Sequence, residues 1–542
     1  MEVTSQEKQK ITSTHPKNFQ ALEKALAFER FGQSSDFFSK RHLTTAKPTS
    51  AKSSSIESIP PQGLVIEKPG TYRLKEHVSW TPSTVECLEA AITINCSDVT
   101  LDLCGHTLTV EAHRGIATAI LIGSSDKATR IKDIKVINGE IKGAVYAGVL
   151  LENTMNVVVQ DTLFNQLSFH QLDLSDVVLE TLLSTHQHAD AQIPLLCPAP
   201  VVAQASQGLI LEHCLCKELH YTANNSAGIF LMACSGVMIK SCVVNTLINK
   251  GGVSAGYFYM LCSNVVTTDS QALHCRTEYH KNIQFQLNSL GHTAIGFMPV
   301  ASFGLSFNHC ESRHIHGCCD DCHGMSLFVV LDANVNQFFA FDIKDGFTSD
   351  STPQEFRNTG AKATGLEIYG NNITVTETHV REIIAKNPQD LQSAGFSSAG
   401  NHIVLINCHA EDVQVVDDDN HPQANDTVGY GVGFGWAPDP REAFCHVAAE
   451  GVQYVNCEAK RCQVGFDNWC HQDSYWLDWK ADKCDIAILQ QESTRKLTYN
   501  YCSECMSHQR NQRKSDGKGG DCKPTILENT AKNNYFLPFL EN

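Results

Sequence analysis

Short runs of alternating apolar and polar residues fill most of the chain after residue 70. They include 91–94, 98–103, 105–108 and 134–141, and polar residues or glycines separate them. Because side chains of a β-strand point alternately to its two faces, each run predicts a short strand with one buried face. The pattern therefore indicates a protein built from β-strands.

The runs recur as a repeated unit. Each unit contains a glycine, an apolar residue, a short strand, a polar turn often containing Asn or Ser, and a second short strand. Units of this kind include 148–159, 228–242, 256–266, 324–335 and 365–375. One unit cannot bury its apolar face alone, whereas stacked units share a continuous core. Since crossovers between parallel strands are overwhelmingly right-handed, the repeat predicts an all-β, single-stranded, right-handed parallel β-helix.

The segments outside this repeat predict additional parts. We expect residues 1–61 to form a helical arm and a Ser/Thr/Pro-rich linker, 62–480 the β-helix, and 481–542 a cysteine-containing C-terminal cap. The arm is either a cap or loosely attached element, or an oligomerisation or docking element. Two stretches that repeat poorly, near 161–207 and 339–364, predict inserted loops. Solenoids often place their binding surfaces on such insertions.

The first coils resemble a known superfamily. Residues 69–74, 92–94 and 99–108, the last reading Val-Thr-Leu-Asp-Leu-Cys-Gly-His-Thr-Leu, are similar to the opening coils of right-handed β-helix repeat proteins of the pectate-lyase-like superfamily. The resemblance covers roughly residues 62–480. It implies the fold but not one activity, because this fold hosts lyases, hydrolases, epimerases, adhesins and viral fibres.

Charge and composition exclude several classes of protein. Among 542 residues, 42 Lys and Arg face 59 Asp and Glu, so the net charge is −17. This balance opposes a nucleic-acid partner, which requires a basic face. No apolar run approaches the ~20 residues that span a bilayer, and residues 1–8 lack the apolar segment of a signal peptide. We therefore expect no membrane insertion and a cytoplasmic or virion location.

Cysteine is abundant, with 23 residues, an odd number that cannot pair completely within one chain. We expect most of these thiols to be reduced and buried. Several follow a strand in one repeated position and predict a ladder of small buried side chains from coil to coil. They are Cys214, Cys242, Cys275, Cys310, Cys408 and Cys457.

One candidate site lies at 314–324, which contains His314, His316, His323 and a Cys319-x-x-Cys322 pair. Zinc requires about four such ligands, but a second Cys-x-x-Cys pair is missing nearby, and successive strand residues point to opposite faces. The stretch Asp320-Asp321-Cys322 resembles one motif of polygalacturonases, which implies a role for the first Asp in acid catalysis and water activation. No Gly-His-Gly follows downstream, so we do not expect polygalacturonase activity. Asp320, Asp321 and His323 are our second-ranked catalytic group.

The first-ranked site lies on the late coils. Aromatic rings stack on sugar faces, and carboxylates and arginine bind hydroxyl or uronate groups. We predict the following roles: catalytic for Asp467, His471 and Asp473; substrate-binding for Trp436, Asp439, Arg441, Trp469 and Trp476. In a continuous strand the three catalytic candidates would share one face, because they lie an even number of residues apart and side chains alternate between the two faces. The alternative is a capping layer in which the aromatic residues close the core.

Two further clusters offer metal ligands. The acidic run 417–420 could hold Ca²⁺ but lacks EF-hand spacing, and the tail cysteines Cys484, Cys502, Cys505 and Cys522 are spaced like a small zinc clip. A solvated loop and capping thiols explain them without metal, so we expect no cofactor and no bound metal, with Ca²⁺ or Zn²⁺ as the alternatives.

These observations predict a carbohydrate-binding or polysaccharide-processing protein of the lyase, hydrolase or epimerase type, with a glycan or polysaccharide as partner. The alternative is a non-enzymatic structural or adhesive solenoid, such as a virion or surface fibre component, which would form stable trimers or higher assemblies, a homotrimer being one such state. Whether the chain is catalytic stays open at this point.

Overall fold

The chain divides into two compact units, Met1–Ala51 and Lys52–Asn542. The computed structural model describes parts of the second unit: residues 53–82, 88–111, 116–123, 129–170, 197–278, 292–318, 321–346, 362–386, 393–416, 430–435, 449–450, 452–467, 471–472, 475–490, 496–503, 507–511, 525–526 and 535–536. The predicted N-terminal helix lies outside these residues.

Forty-one β-strands account for most of the described residues. The first fourteen are β1 (Ser53–Ile56), β2 (Leu64–Ile66), β3 (Gly70–Leu74), β4 (Val78–Trp80), β5 (Leu88–Ile94), β6 (Val99–Asp102), β7 (Thr107–Val110), β8 (Ile116–Ile122), β9 (Ile131–Ala144), β10 (Ala147–Glu152), β11 (Thr154–His170), β12 (Ala199–Gln204), β13 (Ile210–Glu212) and β14 (Leu215–Thr222). The next fifteen are β15 (Asn225–Met232), β16 (Ser235–Lys240), β17 (Val243–Lys250), β18 (Val253–Met260), β19 (Ser263–Thr268), β20 (Gln271–Glu278), β21 (Ala294–Val300), β22 (Phe303–Asn308), β23 (Glu311–His316), β24 (Asp321–Asn336), β25 (Phe339–Asp345), β26 (Lys362–Thr376), β27 (His379–Lys386), β28 (Ser393–Ile406) and β29 (His409–Val416). The last twelve are β30 (Gly431–Gly435), β31 (Ala449–Glu450), β32 (Gln453–Val455), β33 (Glu458–Lys460), β34 (Val464–Asp467), β35 (His471–Gln472), β36 (Tyr475–Asp482), β37 (Ile486–Gln490), β38 (Lys496–Ser503), β39 (Ser507–Asn511), β40 (Thr525–Ile526) and β41 (Tyr535–Phe536).

The strands stack into three parallel ladders, and each coil of the chain crosses them in the same order. Ladder 1 contains β2, β5, β8, β10, β12, β15, β18, β21, the first parts of β24, β26 and β28, then β30, β34, β37 and β39. Ladder 2 runs through β16, β19 and β22, and ladder 3 through β14, β17, β20, β23, β25, β27, β29 and β33. This arrangement is the predicted right-handed parallel β-helix.

The ladders extend beyond the segment predicted from sequence. Strand β1 already pairs with β3, and β36–β38 and β37–β39 continue the parallel pairing to Asn511. The loop prediction was wrong at both ends of each stretch, which are strands that pair with neighbouring coils: 161–170 belongs to β11 and 199–204 to β12, while 339–345 belongs to β25 and 362–364 to β26. Antiparallel pairs join β38 to β41 and β39 to β40.

The repeated glycine marks a change in strand phase. Gly365 faces the interior, where an added Cβ would lie 2.6 Å from Val380 Cβ, and the next residue, Leu366, is also fully buried in the core. Two consecutive residues therefore point inward, and the alternation reverses between them. Only glycine fits there because ladder 1 passes so close to ladder 3. The same feature recurs at Gly324–Met325 and Gly433–Phe434.

The interior column that follows this glycine contains stacked aromatic rings. Phe434 stacks between Phe396 at 4.7 Å and Phe466 at 5.0 Å, with interplanar angles of 5° and 9°. The ladder register repeats every coil, so identical rings fall above one another. These contacts hold the late coils together.

The predicted cysteine ladder is present at the turn from ladder 2 to ladder 3. Each cysteine of the ladder follows a residue with φ between 50° and 53°, and its Sγ donates a hydrogen bond to the carbonyl two residues earlier. The five cysteines are Cys214, Cys242, Cys310, Cys408 and Cys457. Ser270 occupies the same position in another coil and makes the same bond. Cys275 differs, because it lies within β20 on ladder 3. Of the sixteen cysteines whose side chains are described, fourteen are buried. The repeated cysteine position between ladders 2 and 3 is therefore structural.

Candidate functional site

The outer face of ladder 1 carries one continuous column of side chains. In the early coils this column is apolar: Leu150, Val202, Phe230, Phe258 and Met298 lie in register. From Ser326 onward it becomes polar, and its members are Ser326, Glu367, Ser397, Gly435 and Asp467. All the polar side chains in it are buried or nearly so. This change from apolar to polar residues singles out the later coils.

Four side chains at the start of the polar stretch form an acid–base cluster: His323, Ser326, Lys362 and Glu367. The Lys362 ammonium donates to Glu367 Oε1 at 2.6 Å, and Ser326 donates to Oε2 at 2.7 Å. His323 Nδ1 lies 3.8 Å from the same Oε2. The Lys362 side chain is 1% exposed and that of Glu367 12%. The cluster thus holds opposite charges in a site shielded from water.

The phase change at Gly365–Leu366 explains how Lys362 and Glu367 meet. Residues five apart would lie on opposite faces of a regular strand. Because the alternation reverses once between them, both side chains point outward and their charged atoms meet. The same change at Gly324–Met325 brings His323 and Ser326 to that face.

The surroundings fix the charge state of Glu367. Burial alone would raise the pKa of its carboxyl, but the charges of His323 and Lys362 and the hydrogen bonds from Lys362 and Ser326 hold the pKa well below its usual range. Glu367 is therefore an anion at neutral pH, and it can accept a proton but has none to donate. Two further carboxylates lie close: Asp345, which accepts from the Lys362 backbone N–H at 3.0 Å, and the buried Asp321, which pairs in register with Lys362.

Asp467 belongs to the same column, at the end of β34. It is fully buried and accepts a hydrogen bond from the Tyr430 hydroxyl at 2.8 Å. Three strand steps of ~4.8 Å separate it from Glu367, a distance of about 14 Å along the ladder. Asp321, His323 and Asp467, drawn from both predicted groups, therefore lie on one face of one ladder.

The structure separates other members of the first-ranked group. Asp467 ends β34 on ladder 1, whereas His471 lies in β35, which pairs with β31. Among the described residues, Asp467 and His471 therefore belong to two strands that pair with different neighbours. Trp476 is fully buried, with its ring 5.5 Å from that of Tyr454 and 5.6 Å from that of Phe466, so it closes the core and has no face free to stack on a sugar.

Several predicted residues lie outside the described part of the chain: Asp320, Trp436, Asp439, Arg441, Trp469 and Asp473, as well as the acidic run 417–420 and Cys319, Cys505 and Cys522. The side chains of His471 and Cys502 are likewise not described. Two cysteines of the proposed ligand sets are core residues: Cys322 donates to the Ile315 carbonyl at 3.0 Å, and Cys484 to the Ala459 carbonyl at 3.6 Å.

Lys362, Glu367 and Tyr430 were missed from the sequence. A signal for Glu367 was present, because aligning the repeats on their glycines places the second residue after each glycine in one column. That position is Phe230 after Gly228, Ser326 after Gly324, Glu367 after Gly365 and Asp467 after Gly465. A charged residue in a position otherwise filled by apolar or small side chains marks the site.

Ladder 3 presents a second surface, which we name the ladder 3 platform. It contains Arg313, Phe339, Phe341, His379, Arg381 and Glu411. Phe339 and Phe341 lie side by side with ring centroids 6.2 Å apart, and both rings are half-buried. The Arg313 guanidinium lies 5.2 Å from the centre of the Phe339 ring, and that of Arg381 lies 5.9 Å from Phe341. The platform combines aromatic rings with exposed cations.

Carboxylates flank the platform on one side. Arg381 Nε lies 3.8 Å from Glu411 and 3.6 Å from Asp412, and Arg461 makes a bidentate pair with Asp412 in which both N–O distances are 2.7 Å. His379 packs edge-on against Phe339 at 5.6 Å. Such a network holds long side chains in fixed positions.

Comparisons with known proteins give structural neighbours alone. No protein family and no curated protein matches the sequence. A tailspike protein mutant of E. coli bacteriophage HK620 in complex with a pentasaccharide is 9% identical, with a TM-score of 0.37, over 82% of this chain and 74% of that one. The Azotobacter vinelandii mannuronan C-5 epimerase AlgE4 A-module is 10% identical, with a TM-score of 0.27, over 86% and 88%. ORF18 of Geobacillus virus E2 is 10% identical, with a TM-score of 0.24, over 84% and 57%.

No helix long and apolar enough to cross a membrane is found among the described residues.

Proposed function

We propose that this chain is a carbohydrate-binding β-helix protein and that the ladder 3 platform is its glycan-binding surface. The observation that supports this most is the pair Phe339 and Phe341, held side by side on an exposed face between Arg313 and Arg381. Aromatic rings offer a flat apolar surface to a sugar ring, and partly exposed aromatic side chains are enriched at binding surfaces. The two arginines supply hydrogen-bond donors beside it.

The charges of the platform favour acidic glycans. The side chains of Arg313 and Arg381 are 46% and 44% exposed, so a ligand can reach both guanidinium groups. Each also pairs with carboxylates of the chain, Arg313 with Glu311 and Arg381 with Glu382, Glu411 and Asp412, and an acidic ligand has to compete with these groups. Guanidinium groups bind carboxylates in bidentate fashion. The imidazoles of His379 and His409 lie on the same side of the platform, 5.9 Å apart. We therefore expect uronate-containing polymers to bind more tightly than neutral ones.

A glycan panel on the full chain tests this proposal, with binding measured by calorimetry against uronate-containing and neutral polysaccharides. Changing Phe339 and Phe341 together to alanine should weaken binding at least about tenfold, or about 1.4 kcal/mol. Phe328→Ala is the matched control, because Phe328 stacks on Tyr369 at 5.5 Å on the outer face of ladder 1. Equal losses in both variants, or no binding by the unaltered chain, would overturn the platform's role.

Polysaccharide processing is a second candidate function, and the acid–base cluster favours it. His323, held beside the ionised Glu367, could remove a proton from a sugar carbon while the Lys362 ammonium neutralises an adjacent carboxylate. Glu367 itself is a weak base because its pKa is lowered, so its role would be to position His323 and Lys362. This chemistry belongs to lyases and epimerases, whereas a hydrolase would require a protonated carboxyl near by. The product that forms therefore distinguishes a lyase, a hydrolase and an epimerase.

The same panel, scored for reducing ends and unsaturated products, tests catalysis. Glu367→Gln and His323→Gln should each abolish product release while binding at the platform persists. The predicted roles of Asp467 and His471 are tested by Asp467→Asn and His471→Ala, each expected to lower activity at least about tenfold. Product release that survives all four changes would remove this face from the mechanism.

A non-enzymatic structural or adhesive solenoid is the remaining alternative. It predicts stable trimers or higher assemblies by sedimentation equilibrium, and it predicts that changes to the polar residues of the candidate sites are tolerated. A virion or surface location would accompany this outcome. We retain the prediction of a cytoplasmic or virion location for either function.

A further inference from the structure

Ladder 3 carries a cluster of metal-ligating side chains that neither the platform nor the acid–base cluster uses. His314 and His316 lie on β23, and Asp342 lies opposite them on β25. The ligating atoms of the three residues lie within 4.8 Å of one another. His314 Nδ1 is 2.6 Å from Asp342 Oδ2, and His316 Nε2 is 3.1 Å from the same oxygen. Two imidazoles therefore converge on one carboxylate oxygen.

The backbone explains this convergence. His314 and Asp342 both have left-handed backbone conformations, with φ of 54° and 58°. The bend lets consecutive residues Arg313 and His314 both face outward, after which the fully buried Ile315 points inward and His316 outward again. The same bend recurs at Glu382 and Asp412 in later coils. The bend is thus general to the ladder, and this coil pair differs in carrying imidazoles beside a carboxylate.

The second carboxylate oxygen has a separate partner. The Lys344 ammonium pairs with Asp342 Oδ1, which leaves Oδ2 directed at the two imidazoles. His274 stacks on His314 with ring centroids 4.5 Å apart, which limits the rotation of the His314 ring. Asp342 is 10% exposed, whereas the two histidine side chains are 36% and 40% exposed. The carboxylate is therefore shielded while the site stays open to solvent.

We propose that His314, His316 and Asp342 bind one Zn²⁺ ion. Imidazole and carboxylate are common zinc ligands, and bonds of about 2.0–2.2 Å in a tetrahedron place ligand atoms about 3.4 Å apart. The His316 Nε2–Asp342 Oδ2 distance of 3.1 Å is close to that spacing. The His314 Nδ1 atom lies 2.6 Å from the same oxygen, so it has to move away by about 0.8 Å when the ion binds. Three protein ligands leave a fourth position for water or for a ligand oxygen. From the sequence we expected no bound metal, and the zinc alternative for this stretch included its cysteines as ligands. The assignment to two histidines and one aspartate does not depend on the proposed glycan binding.

Zinc binding by the metal-stripped full chain tests the assignment, with the affinity measured by competition against a chromophoric chelator. His316→Gln removes one of three ligands and should weaken binding at least about a hundredfold. His213→Gln is the matched control, because His213 pairs with Asp161 at 3.2 Å without a second histidine. It should bind zinc as the unaltered chain does.

Cobalt substitution identifies the ligands independently of affinity. Co²⁺ bound by imidazole and carboxylate lacks the near-ultraviolet charge-transfer band that thiolate ligands produce. We expect the unaltered chain to bind one equivalent of Co²⁺ without that band. We expect His316→Gln to lose this Co²⁺ binding. No tight zinc binding, equal affinity in both variants, or a strong thiolate band that survives His316→Gln would each overturn the assignment. Far-ultraviolet spectra of the variants check that they remain folded.

Discussion

Two lysine–glutamate pairs show how the outer faces of ladders 1 and 3 differ. Lys362 and Glu367 on ladder 1, and Lys480 and Glu458 on ladder 3, have the same 2.6 Å nitrogen–oxygen distance. The first pair is 1% and 12% exposed, the second 40% and 26%. Identical contacts therefore stand in different dielectric surroundings. In this β-helix the ladder on which a charged pair lies, more than the contact itself, therefore determines the energy of the pair.

The largest difference is expected when one partner of each pair is removed. Glu367→Ala leaves a buried ammonium without its carboxylate and should destabilise the chain by about 3–5 kcal/mol. Glu458→Ala breaks a solvated pair and should cost about 1 kcal/mol or less. Urea unfolding followed by far-ultraviolet circular dichroism measures both.

A double variant serves as control for this comparison. Lys362→Met with Glu367→Leu removes both charges and should recover most of the lost stability. Similar costs for Glu367→Ala and Glu458→Ala would show that the two faces do not differ as described.

Aromatic residues on the outer faces of ladders 1 and 3 differ in burial in the same way. Phe258 on ladder 1 packs against Phe230 at 5.2 Å and is 8% exposed, whereas Phe341 on ladder 3 is half-buried. Phe258→Ala should cost about 3 kcal/mol, and Phe341→Ala about 1 kcal/mol or less. The midpoints of urea unfolding give both values, and a reversed order would contradict the assignment of ladder 1 as the buried face.

Acid should weaken the acid–base cluster of ladder 1. Because the pKa of Glu367 is lowered in the folded chain, its ionised form contributes stability at neutral pH. That contribution begins to fall as the pH drops below about 4.3, the ordinary value of glutamate, and continues to fall toward the lowered pKa of the folded state. The unaltered chain should therefore lose more stability between about pH 5 and pH 2 than the Lys362→Met/Glu367→Leu variant. Parallel curves for the two proteins would contradict the ionised state of Glu367.

Much of the fold could be predicted from sequence because it depends on local patterns. The alternation within strands and the glycine at the start of each unit together specify stacked coils. The ends were less predictable, since β1 and β36–β39 lack the full repeat yet pair with the coils beside them. A strand that has only to continue an existing ladder requires little pattern of its own.

The site was harder to predict because strict alternation fails where the chemistry lies. The phase change at Gly365–Leu366 brings Lys362 to Glu367, a pairing that a regular strand forbids. For Asp467 and His471 the same rule suggested one strand where the chain forms two. Ladder 3 adds another exception, because the left-handed bends at His314 and Asp342 create their contact across coils. These contacts depend on how residues of successive coils align, and that alignment cannot be deduced from the sequence of one repeat.

Hydroxyl-radical footprinting by mass spectrometry, with and without the oligosaccharide that binds best, tests most directly whether the outer face of ladder 3 is the binding face. Without ligand, we expect Phe339, Phe341 and His379 to be oxidised and Phe230 and Phe258 to be protected. With ligand, oxidation of Phe339, Phe341 and His379 should fall at least about threefold, since a bound sugar excludes solvent from the rings, while Phe328 on ladder 1 should not change. Protection confined to Phe328 and Tyr369, with the ladder 3 residues unaffected, would contradict the account and place the glycan on ladder 1.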